Sequence, residues 1–239
     1  MPRFYVNLPL VSNEKYSLPD DVVRHINVLR LKISEEICLF NNSGYDYICV
    51  IISLDKRKVE VEVRDKIAVA NEAQIKITLL VSLIANDKFD LIIQKAVELG
   101  VTTIIPVIAA RTQRMKSERE AHKMEHWHRI IISASEQCNR AKLAEIKSPA
   151  LFSAAIAESV SEVKFILSPH HITSPVIATD FSALSLLVGP EGGFTENEIK
   201  QANAAGFVSL NLGKRVLRAE TAAIAGLCFL HCNYGDFKL

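Results

Sequence analysis

"IKITLLVSLIANDKFDLIIQKAVELGVTTIIPVI", residues 75–108, runs from an apolar stretch through an amphipathic one into a second apolar stretch. The first, "IKITLLVSLI" at 75–84, is about half the roughly 20 residues a membrane span needs, and reads as a buried strand. Asn86 and Asp87 give the next segment a polar start and Gly100 gives it a stop, so "NDKFDLIIQKAVELG" reads as a helix. "VTTIIPVI" is the following strand. Apolar strands separated by a helix imply a mostly parallel sheet covered on both faces.

The alternation continues toward the C-terminus. "EREAHKMEHWHRIIISASEQCNR" reads as a long helix, "VKFIL" and "LSLLV" as strands, the segment from Thr195 as a helix, "FVSLNL" as a strand and the segment from Ala219 as a last helix. Before residue 70 the pattern differs. "RFYVNL", "EICLFN", "DYICVIISL" and "KVEVEV" are short β-rich runs, the last with period two, and "NNSGYD" supplies a turn between two of them. One helix interrupts, around "PDDVVRHINVLRL", where Pro19 and two aspartates suit a first turn. The expectation is an α/β protein with a small β-barrel over residues 1–70 and a parallel-sheet domain over 71–239.

With 49% hydrophobic and 23% charged residues the chain is an ordinary globular one with a sizeable core. Its 28 basic and 27 acidic side chains leave a net charge of +1, and residues 1–70 hold ten of each, so a nucleic acid would have to be met by local patches. "MPRFYVNLPL" has no charged n-region followed by a long apolar run, and the expected location is the cytoplasm. Five cysteines without framework spacing fit a reducing compartment. In "CFLHC", Cys228, His231 and Cys232 fall short of the four or so ligands a zinc site needs. The two cysteines read as plain core cysteines, and no metal is expected.

Chemistry concentrates at two strand exits. In "LLVGPEGGFTENEI", 186–199, three glycines and Pro190 shape a tight loop, and "TENE" is a capping box that starts a helix. The loop lacks both G-x-x-x-x-G-K-[ST] and G-x-G-x-x-G, and Glu191 would stand beside any phosphate, so a neutral or cationic ligand suits it better. A tight strand-to-helix turn without a ligand is the other reading. In "LNLGKRVLRAETAAIAGL", 210–227, a glycine and the cations Lys214, Arg215 and Arg218 lead into an Ala-rich helix. Arg218 there reads either as a functional cation or as a solvated ion-pair partner of Glu220. Two glycine-marked strand exits close in sequence would build one pocket.

Together these two segments resemble the cofactor-binding signature of SPOUT methyltransferases, specifically of the RsmE family, which methylates uracil N3 in 16S ribosomal RNA. "RFYV", "HINVLRLK" at 25–32, "IIQKAVELGV" at 92–101 and Arg111 follow in the family's order, so the likeness spans nearly the whole chain. After "SEQCNRAK" the family usually has a proline before the next strand, and this chain reads "LAEIKSPA" instead.

The resemblance implies a PUA-like barrel followed by a SPOUT domain whose C-terminal segment forms a trefoil knot. It implies S-adenosylmethionine as cofactor, held by Leu167, Val188, Gly189, Pro190, Gly192, Leu212, Gly213, Val216 and Leu217. It makes Arg218 the candidate for stabilising the uracil anion or clamping its phosphate, and Glu191 a candidate for proton removal or, equally, for fixing the loop by accepting its N–H groups. The expected partners are 16S ribosomal RNA in the small subunit and a second copy of the chain. Arg3, Arg24 and Arg30 in the barrel, and Arg111, Arg114 and Lys116 after a strand end, are the candidate RNA contacts.

Overall fold

The period-two alternation of "KVEVEV" survives in the computed structural model, which describes residues 1–112, 120–168 and 181–237. Val59, Val61 and Val63 are buried while Glu60 and Glu62 between them are partly exposed. The chain divides into two units. One comprises Met1–Glu72 with Ser135–Leu143, the other Ala73–Ala134 with Ala144–Leu239.

The first unit is built on a five-stranded sheet of β1 (Arg3–Tyr5), β2 (Lys15–Ser17), β3 (Glu36–Phe40), β4 (Tyr45–Leu54) and β5 (Val59–Ala68), in the order β1-β3-β4-β5-β2. β1 runs parallel to β3 and the other pairings are antiparallel. Helix α1 (Asp20–Leu29) contributes Val22, Val23 and Ile26 to the same core as Ile37, Leu39, Cys49, Ile51 and the β5 valines. It ends on Arg30 in the left-handed region, φ 56°, whose N–H returns to the Asn27 carbonyl.

Arg3, expected to touch RNA, is a structural residue here. It is only 9% exposed, pairs with Asp46 at 2.7 Å, donates to the carbonyls of Ser135 and Arg140 at 2.9 Å each, and stacks 3.8 Å over the Phe40 ring. A guanidinium buried among that many acceptors is satisfied inside the unit and presents nothing to a ligand. Arg140 repeats the device, with Nη2 at 2.8 Å from Glu72.

The second unit holds a parallel sheet of β6 (Lys76–Ser82), β7 (Thr103–Ile108), β8 (Glu145–Ile146), β9 (Ala150–Leu151), β10 (Val163–Leu167), β11 (Ala183–Val188) and β12 (Val208–Leu210). The order is β12-β10-β11-β6-β7-β8, with β9 also on β7. Helices α2 (Asn86–Glu98), α3 (Glu120–Gln137), α4 (Phe152–Glu158), α5 (Glu196–Ala204) and α6 (Ala219–Tyr234) accompany it, the last three residues of α3 counting with the first unit. Leu79, Leu80, Ile104, Ile105, Leu186 and Leu187 are buried as consecutive pairs, as strands covered on both faces require. The short strands β2, β8 and β9 and helix α4 carry no periodic signal long enough to read from sequence. No described helix is long and apolar enough to cross a membrane.

In "CFLHC" the core reading of the two cysteines does not hold, since neither is fully buried, and it is the histidine that sits in the core. His231 is 2% exposed with Nε2 2.6 Å from the Leu99 carbonyl, which makes that nitrogen the hydrogen-bond donor, whereas Cys228 is half-buried and Cys232 exposed.

Candidate active site

Parallel pairing brings three strand ends side by side: Leu167 of β10 stands opposite Leu210 of β12, and Ile166 opposite Leu187 of β11. Ligands of such sheets collect at the C-terminal strand ends.

After β11 the loop turns at Pro190, whose carbonyl accepts the Gly193 N–H at 2.8 Å, with Gly193 at φ 66°. Protein side chains pack against this loop. A Cβ at Gly189 would stand 3.1 Å from the Phe194 ring, and one at Gly192 would stand 3.3 Å from Cδ of Arg111. The following helix starts with the full capping box: Thr195 Oγ1 accepts the Glu198 N–H, and Glu198 Oε2 accepts the Thr195 N–H at 2.8 Å. The other oxygen of Glu198 accepts the Ala110 N–H at 2.7 Å, and Arg111 donates to the Gly192 carbonyl at 2.6 Å. Thus the exit of β7 is tied to the exit of β11 through a buried carboxylate and an exposed guanidinium.

After β12, Asn211 Oδ1 accepts the Gly213 N–H at 2.7 Å, and Gly213 adopts φ 108°, a conformation only glycine reaches readily. The chain then passes Val216, which is 82% exposed, to Arg218 at the N-cap of α6. Helix α6 can approach the sheet because residue 226 is glycine: a Cβ there would stand 2.9 Å from Leu186 and 3.2 Å from Leu167. That approach brings Ala219 and Ala222 to the strand ends.

The three exits enclose one cavity of about 400 Å³, within the range of small-molecule sites. Leu167 lines it from β10; Val188, Gly189, Pro190, Glu191 and Gly192 from the β11 exit; Leu212, Gly213, Val216, Leu217 and Arg218 from the β12 exit. Every residue singled out for the cofactor or for catalysis therefore meets at one place. Ser168, Asn211 and Arg215 also line it and were not anticipated; Ser168 carries no motif, and only strand pairing brings it in.

The site's charge is arranged by depth. Val188, Pro190, Leu210 and Ala219 are buried, whereas Glu191, Arg215 and Arg218 are exposed at the rim. The Glu191 carboxylate lies 3.5 Å from Nζ of Lys88. Glu220 does not pair with Arg218: its Oε2 is buried without a hydrogen-bond partner. A neutral interior with backbone groups on three sides and mixed charges at the mouth fits a sulfonium nucleoside, whose base and ribose are neutral and whose amino-acid end is charged. The ordinary phosphate-cradling lysine loop is absent from these exits.

Of the remaining candidates, Arg24 lies exposed on α1 and Arg30 exposed at its end, both in the first unit. Arg111 is exposed but engaged with the glycine loop. Arg114 and Lys116 lie outside the described residues. No group of His, Cys, Asp and Glu among the described residues is placed to hold a metal ion.

Residues 71–231 match the RNA methyltransferase domain and residues 18–64 the RNA methyltransferase PUA domain. The ribosomal RNA small subunit methyltransferase E of Buchnera aphidicola subsp. Schizaphis graminum is 33% identical over all of this chain and 98% of its own. The crystal structure of a ribosomal RNA small subunit methyltransferase E from Neisseria gonorrhoeae, bound to S-adenosyl methionine, is 38% identical with a TM-score of 0.94, covering 100% of both chains. A solved structure from Legionella pneumophila, in complex with the bound cofactor SAM, is 33% identical with a TM-score of 0.94, covering 98% of each chain. Matched along its whole length in sequence and in fold, the chain belongs to the RNA methyltransferase family, among the ribosomal RNA small subunit methyltransferases E.

Proposed function

We propose that this protein is an S-adenosylmethionine-dependent methyltransferase that methylates N3 of one uridine in 16S ribosomal RNA of the small subunit. The observation that carries the reading is the convergence of both glycine-marked strand exits on a single cavity, in a chain that matches a cofactor-bound relative from end to end. The bound cofactor supplies an electrophilic methyl group.

The chain's own residues do the rest. The loops at 188–193 and 210–217 hold the nucleoside by backbone and apolar contact. Uracil N3 must lose its proton before its lone pair can attack, and the resulting charge spreads onto O2 and O4. Arg218, exposed at the cavity mouth, offers a fixed fork of donors to that charge or to the adjacent phosphate, so catalysis is mainly positioning and anion stabilisation. Glu191 faces Lys88, and its role is to order the loop or to accept the N3 proton.

On this reading the first unit is a closed PUA-like barrel that docks RNA through Arg24 and Arg30, with Arg114 and Lys116 adding contacts. The second unit is a SPOUT domain whose last segment threads a trefoil knot. The exposed Phe229 on α6 supports a homodimer, and the reducing setting implied by five free cysteines supports the cytoplasm.

Mass spectrometry of ribosomal RNA from cells with and without the gene tests the assignment, since loss of a single methylated uridine is expected and an unchanged RNA refutes it. Arg218→Lys keeps the charge but loses the bidentate geometry. Single-turnover methyl transfer to small-subunit particles should slow by about 100-fold, the scale of removing one oxyanion donor, while cofactor affinity holds; wild-type turnover would remove Arg218 from the chemistry.

A further inference from the structure

We propose that the Ser168 hydroxyl is a hydrogen-bonding contact to the neutral nucleoside half of the cofactor, an inference that rests on the cavity being the S-adenosylmethionine site. Ser168 follows Leu167 at the end of β10, and its N–H is fixed to the Leu210 carbonyl at 3.2 Å. The residue lines the cavity and is 4% exposed, and its Oγ is buried with no hydrogen-bond partner. A buried hydroxyl without a partner is costly and correspondingly rare, and where it borders a ligand cavity the ligand is the natural partner.

The depth profile of charge selects which half of the ligand it meets. The carboxylate and ammonium of the amino-acid end are best placed where charged side chains and water reach them, at the rim with Glu191, Arg215 and Arg218. A buried neutral hydroxyl matches a neutral polar group, a ribose hydroxyl or a polar edge of adenine.

The inference predicts opposite signs in the free and bound protein. Without ligand the unpartnered Oγ costs stability, so Ser168→Ala leaves the melting temperature unchanged or raises it. With ligand the same variant loses a hydrogen bond. A hydroxyl that merely supports the fold would lower the melting temperature and leave affinity alone.

Titration calorimetry of S-adenosylmethionine, with 5′-methylthioadenosine competed against it, tests this on wild type, Ser168→Ala and Ser82→Ala. Ser82 is also buried and unpartnered but does not line the cavity. The expected result is a loss of about 2- to 12-fold for both ligands in Ser168→Ala, the range of one hydrogen bond, with Ser82→Ala unchanged. Wild-type affinity in Ser168→Ala, or an equal loss in Ser82→Ala, overturns the inference. A loss confined to S-adenosylmethionine overturns the assignment to the nucleoside half. A wild-type protein that binds neither ligand overturns the cofactor reading itself, and the inference with it.

Discussion

Arg111 donates from Nη1 to the Gly192 carbonyl at 2.6 Å, and the stem of the same side chain fills the space a Cβ at residue 192 would need. The exit of one strand thereby braces the glycine loop of another. Arg111→Ala should lower S-adenosylmethionine affinity by about tenfold, equivalent to about 1.4 kcal/mol. Calorimetry checks it, and an unchanged affinity with weaker RNA binding would return Arg111 to the RNA surface.

Glu198 is 6% exposed and accepts hydrogen bonds from Ala110 N–H, Thr195 N–H and Thr195 Oγ1. Glu198→Ala removes half of a capping box and strands the Ala110 donor, at a cost of about 2–4 kcal/mol. Glu198→Gln keeps one acceptor and should recover part of that. Urea unfolding curves of the two variants decide, and equal midpoints would show that the carboxylate's charge matters more than its contacts.

Gly226→Ala places a methyl 2.9 Å from Leu186 and 3.2 Å from Leu167. Helix propensity gains up to about 1 kcal/mol, but overpacking costs about 1–3 kcal/mol. The net expectation is a destabilised protein with a reshaped cavity, since Leu167 lines it, seen as a lower melting temperature together with weaker cofactor binding.

Burial holds the Glu136 carboxyl above the usual carboxylate range, against the lowering effect of the Tyr5 N–H that it accepts at 2.9 Å. The folded protein therefore keeps this proton to higher pH than the unfolded chain does. Stability from this group is present below the ordinary carboxyl pKa and is lost as pH rises through the raised folded value. Glu136→Gln retains an acceptor for Tyr5 and carries no titratable group, so its melting temperature should exceed wild type near neutral pH and the difference should vanish in acid. A gap that stays constant with pH would place the effect in packing.

Burial pushes the thiols of Cys38 and Cys49 up to about 12, whereas Cys232 is exposed. Native protein treated with iodoacetamide at pH 8 should be alkylated first at Cys232, with Cys38 and Cys49 protected until the first unit unfolds. Peptide mapping reads this directly, and early labelling of Cys38 would mean that β3 opens locally.

Short-range physics made much of this protein legible before any fold was known. The alternation in "KVEVEV", the paired apolar runs at 75–84 and 101–108, and the Thr195 capping box each depend on neighbours within a few residues, and each stands where the sequence places it. The two glycine-marked exits were also visible, because turn chemistry is local. What they hold could not be read in the same way. Gly189 and Gly192 looked like room for a ligand, yet Phe194 and Arg111 occupy the space beside them. Arg3 looked like a surface cation until Asp46, Ser135 and Arg140, distant in sequence, closed around it. Ser168 gave no signal at all. Its place in the cavity follows from the parallel pairing of β10 with β11 and β12. Burial and hydrogen-bond satisfaction are properties of a residue's spatial neighbours, and for a parallel sheet those neighbours are set by crossover connections rather than by adjacent sequence.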